Sequence, residues 1–290
     1  MVGSSENSLR PLLVHEGLAV YAFGEGAPLL FMPYPHGVGV VGDPNFMVLI
    51  RGLTKLGCRV ITFDPPCSGR SSRPARLDMQ EMLACAEEAL AVCGLMVPVD
   101  VFGHSQGGVA ALAFAIEQPQ RVRRLVLANT ASGGPCYFRA PGAIWNRSHP
   151  DYWRMGLPGL LYLLTRRRAP AMLMLNVIFR ASWFDRSRFV PARITLHDWF
   201  RPASPRLAWN LMARRLHYGT RLEEVRAPTL VLAGHHDPQM PPACAEELVR
   251  GIPNARLVIF EKSGHYPFLE EPDLFWAAVE GFMSKQRSQA

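Results

Sequence analysis

Lysine is almost missing from this chain: Lys55, Lys262 and Lys285 are the only three in 290 residues, and arginine supplies the rest of the 31 basic positions. A coding bias toward arginine explains that choice. Cysteine is sparse too, and its six copies at 58, 67, 85, 93, 136 and 244 include no C-x-x-C pair and no His/Cys cluster of zinc spacing. This excludes the common zinc modules, so no metal and no cofactor is expected, and scattered thiols fit a reduced, cytoplasmic location. No uninterrupted apolar run is long enough to span a bilayer. The nearest approach, LPGLLYLL at 157–164 and AMLMLNVIF at 171–179, is broken by Arg166, Arg167, Arg168 and Pro170, which predicts two helices rather than one span and no integral membrane association. The opening MVGSSENSLRPLL lacks a basic segment followed by an apolar core, so no secretory signal is expected. Repeats and low-complexity tracts are likewise missing. The net charge of +7 comes with no compact basic run and no nucleic-acid-binding motif, which argues against nucleic acid as a partner.

What is present is an ordinary globular composition, 49% apolar and 19% charged, long enough to bury a large core. The charge is unevenly placed. Residues 131–220 hold fourteen arginines, no lysine and three acids, Asp151, Asp185 and Asp198, an excess of eleven positive charges that leaves the rest of the chain acidic. Arginine bias does not explain the shortage of acids there.

Hydrophobic spacing divides the chain the same way. LLVHEG and LAVYAF (12–23) predict a hairpin; PLLFMP (28–33), CRVITFD (58–64), Val97–Phe102 and RRLVLANT (123–130) predict strands. Helical spacing runs through Pro44–Leu56, Asp78–Cys93 and Gln106–Gln118 between them. The alternation stops at Ala131 and resumes with APTLVLAG (227–234), helix Ala243–Arg250, strand ARLVIFE (255–261) and helix Asp273–Met283. Strands alternating with helices predict an α/β fold with a mostly parallel, doubly wound sheet. Residues 1–130 and 221–290 would form its core domain, and 131–220 a helical cap of several short helices inserted between two strands.

Within VDVFGHSQGGVAALAFA (99–115), a valine-rich strand meets an alanine-rich helix across Gly103-His-Ser105-Gln-Gly107. Glycine two positions to either side of Ser105 allows a sharp turn with the hydroxyl at its tip, the G-x-S-x-G pattern in its strand–turn–helix setting. Two later loops, GHHDPQMPP and SGHYPFLEEP, place Asp237 and His265 just after strand ends. A parallel sheet gathers such groups at the carboxyl ends of its strands, so Ser105, Asp237 and His265 are expected to meet.

Together with DPPCSGRSSRP, these motifs make the chain resemble the α/β-hydrolase family from about Leu12 to Phe282, and within it the lidded proline iminopeptidase and esterase group. The resemblance implies a serine hydrolase with Ser105 as nucleophile, His265 as base and Asp237 orienting the histidine, working through an acyl-enzyme. His235 and His236 are the rival bases nearest Asp237, and His104 is expected to pack or bond beneath the elbow. One oxyanion donor would be the Gln106 backbone N–H at the helix start. For the second, relatives carry a His-Gly pair directly after the strand, whereas here Pro33, Tyr34 and Pro35 precede His36-Gly37; either Val38 or Tyr34 could donate, and Pro35 cannot. Cys67 stands where many relatives have glycine and is read as a buried filler.

The cap would choose the substrate. Its three aspartates are few for holding a free amino terminus, which disfavours the iminopeptidase alternative. Tyr34, His36, Trp145, Trp153, Trp183 and Met174 are the candidate lining residues, Trp199 and Trp209 further aromatic ones. The expected partner is a small, largely apolar molecule, split at an ester, thioester or amide bond; were it anionic, arginine would meet its carboxylate. Carbon–carbon bond hydrolysis, acyl transfer, a non-catalytic receptor and a lipid-surface protein remain alternatives, and a homodimer is left open.

Overall fold

The computed structural model describes residues 12–34, 39–66, 68–72, 78–165, 167–189 and 216–284. Its centre is an eight-stranded sheet in the order β1-β2-β4-β3-β5-β6-β7-β8. The strands are β1 (Leu13–His15), β2 (Leu18–Phe23), β3 (Ala27–Met32), β4 (Cys58–Phe63), β5 (Val99–His104), β6 (Val122–Ala128), β7 (Thr229–Gly234) and β8 (Ala255–Phe260). β1 and β2 form the expected hairpin, closed by Glu16 and Gly17, both at positive φ, and β2 runs antiparallel to β4. Every pairing from β4 across to β8 is parallel, as strand–helix alternation predicted.

Helices α1 (Pro44–Lys55), α2 (Met79–Val92) and α3 (Ser105–Glu117) follow strands in the first half. Each of the first two begins where its sequence says: Asp43 accepts the Asn45 N–H at 2.9 Å, and Asp78 accepts the Glu81 N–H at 2.8 Å. α3 is apolar nearly all round and is buried as such, packing with α2 over one face of the sheet. α1 covers the other face with the C-terminal helix α9 (Pro272–Ser284). Between them in chain order lie α4 (Gly134–Arg139), α5 (Tyr152–Thr165), α6 (Arg168–Ala181), α7 (Pro242–Gly251) and α8 (Pro267–Glu270).

Helices α4, α5 and α6 all fall between β6 and β7. Among the described residues the helices expected there are the short α4, a three-residue 3-10 helix at Arg186–Arg188, and two of fourteen residues each that pack on one another, parted at the arginine run. Pro158 inside α5 does not end it, because proline removes one backbone donor and the surrounding turns persist. No described helix is long and apolar enough to cross a membrane. Cys67, Trp199 and Trp209 lie outside the described residues.

β5 is buried along its whole length although it contains Asp100. That carboxylate is met by two arginines of β6: Arg123 at 2.9 and 2.8 Å, Arg124 at 2.8 and 2.6 Å. The strand starts two residues later than hydrophobicity predicted, at Val99, because Met96 and Val97 are exposed.

Candidate active site

The two elbow glycines are explained by contact. A Cβ on Gly103 would lie 2.5 Å from the Gly107 carbonyl oxygen and 2.6 Å from the Gly108 Cα, so glycine is what lets β5 close directly onto α3. A Cβ on Gly107 would lie 2.4 Å from the Met32 carbonyl oxygen, so glycine there lets α3 rest on the end of β3. Gly107→Ala is therefore expected to lower stability by about 1–3 kcal/mol by forcing backbone apart. Because the same shift moves the start of α3, fluorophosphonate labelling of Ser105 should slow alongside the fall in melting temperature.

Between these glycines Ser105 takes φ 52°, a left-handed conformation that costs a non-glycine residue free energy and is held by its surroundings. The turn is tighter than expected: β5 runs through His104, and α3 begins at Ser105 itself. Thr130, just past β6, holds the elbow by donating its hydroxyl to the Ser105 carbonyl at 2.6 Å.

His265 and Asp237 meet as expected, Nδ1 to Oδ2 at 2.7 Å, both almost fully buried. A carboxylate only accepts, so Nδ1 carries the proton and Nε2 is left as the basic nitrogen. Asp237 is itself fixed: its Oδ1 accepts the N–H groups of Gln239 at 2.8 Å and Met240 at 3.0 Å, and its Oδ2 accepts the Asn129 amide at 2.9 Å. Asn129 also donates to the Gly264 carbonyl at 3.2 Å, so one buried side chain at the end of β6 ties the acid loop to the histidine loop.

His104 lies beneath this pair, its ring 4.8 Å from that of His265. Its Nε2 lies 3.0 Å from the His265 carbonyl, which can only accept, so that nitrogen is protonated. Burial first, then the neighbouring His265, hold its pKa well below the usual histidine value, so the ring is neutral and its Nδ1 accepts the Tyr34 hydroxyl at 2.5 Å. His104 thus bonds beneath the elbow, as expected, and it does so as a neutral strut to the His265 loop. Burial pushes the Tyr34 phenol well above its ordinary pKa, and Asp43, desolvated at the head of α1, is raised to about 6.

His235 and His236 are engaged elsewhere, the first with Glu261 at 3.0 Å and the second against the Phe184 ring. The Gln106 backbone N–H is a first-turn amide of α3, without an intrahelical acceptor. Its side chain donates to the Tyr137 hydroxyl of α4 at 3.2 Å. Val38 and His36 lie outside the described residues. The Tyr34 hydroxyl is directed at His104 and its ring packs on Phe46.

Among the other lining candidates, Trp183 stands near His265. Its ring lies tilted against that of Tyr266, centroids 5.5 Å apart, beside His265, and borders a cleft of about 480 Å³ that also touches Asp237, His149, Phe184 and Arg186. Trp153 is a correction: it is 68% exposed on the outside of α5. Met174 is another, because its sulfur packs toward Gly159 between α5 and α6, where two apolar helices need filling. Trp145 packs against Phe138 and the Ile144 cluster. Every arginine of 131–220 whose side chain is described is exposed, and among these only Arg186 borders the cleft.

Sequence reasoning missed a set of polar residues that join the segment after α6 to the histidine loop. The His265 N–H donates to the Ser182 carbonyl at 2.7 Å, and Gln239 donates to the Ser182 hydroxyl at 2.9 Å. Glu270 accepts from Gly264 at 2.7 Å through one oxygen and from Phe184 at 2.8 Å through the other. No spacing marks these residues in sequence.

A mostly parallel sheet in this order, carrying a strained serine and a buried Asp–His pair at its carboxyl edge, is the architecture of an α/β hydrolase. The chain belongs to the alpha/beta hydrolase fold family, whose sequence model matches residues 34–272. It is 32% identical over 285 residues to a 2-hydroxy-6-oxononadienedioate/2-hydroxy-6-oxononatrienedioate hydrolase of Paraburkholderia xenovorans, covering 90% of this chain and 88% of that protein. A protein of the same name from Cupriavidus pinatubonensis is 30% identical over 282 residues with the same coverage. Among solved structures, an alpha/beta fold family hydrolase from Bacillus anthracis matches with a TM-score of 0.74 at 20% identity, covering 91% of this chain and 94% of that one. A meta-cleavage product hydrolase from Pseudomonas fluorescens, a serine-to-alanine variant complexed with acetates, matches with a TM-score of 0.69 at 22% identity, covering 92% and 94%. At such identities the structural likeness speaks to the fold, and the chain is a hydrolase of this family.

Proposed function

We propose that this hydrolase cleaves a carbon–carbon bond next to the ketone of an enol–ketone carboxylic acid, with Ser105 as nucleophile, His265 as base and Asp237 orienting it. The buried Asp237–His265 pair at 2.7 Å, its histidine ring 4.8 Å from that of His104, the residue before the elbow serine, supports the hydrolytic part. Relatives matched over 90% of the chain support the substrate class, since the compound in their name has two carboxylates, an enol and a ketone, and neither an ester nor an amide. The only site where water can divide such a skeleton is a bond flanking the ketone. The ester, thioester or amide expected from sequence shares the first chemical step, addition to a carbonyl.

The chemistry balances as follows. Moving the enol proton from O2 to C5 gives a 2,6-dioxo-3-ene, in which electrons released at C5 can run through C3 and C4 onto the C2 oxygen. Ser105 adds to C6 as His265 Nε2 takes its proton, and the resulting oxyanion faces the Gln106 N–H at the start of α3. Collapse breaks the C5–C6 bond, leaving the far fragment as an acyl group on Ser105, and His265 returns the proton to the departing dienolate. Water, deprotonated by His265, then releases a second carboxylic acid and restores the serine.

Residues 131–220 act as the cap of a core formed by 1–130 and 221–290. The iminopeptidase alternative finds no support in the two described cap aspartates: Asp151 is occupied by Arg154 at 3.2 Å and Arg186 at 3.0 Å, and Asp185 caps the Ser187 turn.

Loss of dienol absorbance on adding 2-hydroxy-6-oxononadienedioate, with products identified by mass, tests the reading against p-nitrophenyl esters and proline p-nitroanilide. The expected result is a kcat/KM for the dienedioate at least about 10⁴-fold above that for the esters, the scale of a discrimination built on specific polar contacts. An inert dienedioate with efficient ester turnover would overturn it.

A further inference from the structure

Helix α5 is apolar on two sides. Met155 and Pro158 are buried, Met155 in one cluster with Ile144 and the α6 residues Ile178 and Ala181. The opposite side should be polar in an ordinary surface helix, and it is not. Trp153, Leu157, Leu160, Leu161 and Leu164 are 43–72% exposed. At about 100° per residue these five positions fall within an arc of about 100°, one continuous stripe along the helix. Seven of the fourteen large apolar side chains exposed among the described residues lie on α5 and α6. Exposed apolar surface so concentrated marks an interaction face.

Charge decides between occupants. From Tyr152 to Phe184 the sequence has five arginines and no acidic residue. Arg154, Arg167 and Arg180 are exposed around the stripe. A second copy of the chain packed face to face would bring two such arginine sets together, whereas an anionic bilayer neutralises them. A tryptophan at one end, a leucine stripe between and basic residues at the other end form the pattern of a helix lying in the membrane interface. At fourteen residues α5 is too short to span.

We infer that the outer face of α5, flanked by α6, is a docking surface for an anionic membrane, on which α5 lies flat with Trp153 and the leucines among the upper acyl chains. This surface is independent of the reaction assigned to Ser105.

Sedimentation with vesicles of phosphatidylcholine alone and of phosphatidylcholine with phosphatidylglycerol tests it, using the whole protein. The expected result is binding to the anionic vesicles only, weakened as salt screens the arginines. Brominated lipid should quench tryptophan emission in the wild type and lose most of that effect in Trp153→Phe. The double variant Leu160→Glu, Leu164→Glu alters exposed positions, so it should keep its circular dichroism and fluorophosphonate labelling while binding vesicles at least tenfold more weakly. No sedimentation of the wild type, equal binding by the double variant, or quenching unchanged in Trp153→Phe would each overturn the assignment. So would a concentration-dependent dimer in analytical ultracentrifugation that the double variant abolishes, since a second copy would then own the face.

Discussion

Replacing Ser105 with alanine is expected to lower kcat by about 10⁴-fold or more while leaving the fold intact. The alanine removes the attacking oxygen and leaves the Asp237–His265 bond, the Gln106 amide and the cleft in place. The substitution keeps a Cβ at φ 52°, so the strain at the elbow is unchanged and the melting temperature should move by no more than about 1–2 °C. Two measurements check this: single-turnover kinetics on the dienedioate, and intact mass after fluorophosphonate, where the wild-type adduct should vanish in the variant. A fall of less than about tenfold would remove the acyl-enzyme and make water, activated by His265, the nucleophile. The companion His265→Ala separates the cases, because both mechanisms need that base and both predict a large loss. His104→Ala should cost activity too, but through position: it takes away the strut that holds the His265 carbonyl at 3.0 Å.

The alternation of buried strands with helices was legible in the sequence because each strand is a short valine- and leucine-rich run closed by a turn residue. Pro44 and Asp78 opened the helical runs read from sequence, and in three dimensions Asp43 and Asp78 cap those helices. The site was legible where a motif encodes a backbone shape, as at Gly103 and Gly107, and where chain order encodes a position at a strand end, as at Asp237 and His265. What was not legible is made by contact at long sequence separation. Asn129 reaches Asp237 across 108 residues and Gly264 across 135, and an asparagine after LVLA has no local feature to announce that. Glu270 reads as one of two surface acids in FLEEP, yet it joins Phe184 to Gly264. The lining residues were misjudged for the opposite reason: aromatic and sulfur side chains are apolar wherever they face, and sequence does not say that Trp153 turns outward while Trp183 turns toward Tyr266.

Asp100→Ala should be the most destabilising of the substitutions considered, by about 3–5 kcal/mol, even though it touches no part of the reaction. Asp100 and Arg124 have 2% and 3% side-chain exposure, and Arg124 also donates to the carbonyl of Met283, fastening α9 to the sheet. Removing the carboxylate leaves a buried guanidinium with nothing to neutralise it on that side. The cost is thus the stranded charge, larger than the worth of the pair itself. Arg123 provides the control: it binds the same carboxylate but is 41% exposed, so it can turn to water, and Arg123→Ala should cost no more than about 1 kcal/mol. Replacing both buried partners, Asp100→Leu with Arg124→Met, should recover most of the loss, because no charge is then stranded. Urea unfolding measures all of these, with an unchanged slope showing that stability alone has moved. The Asp100→Ala midpoint should also fall thermally by about 10 °C, at about 2–4 °C per kcal/mol for a chain of this size. If Asp100→Ala and Arg123→Ala prove equally mild, the buried charge must be reaching water, and β5 would then owe its position under Ser105 to apolar packing alone.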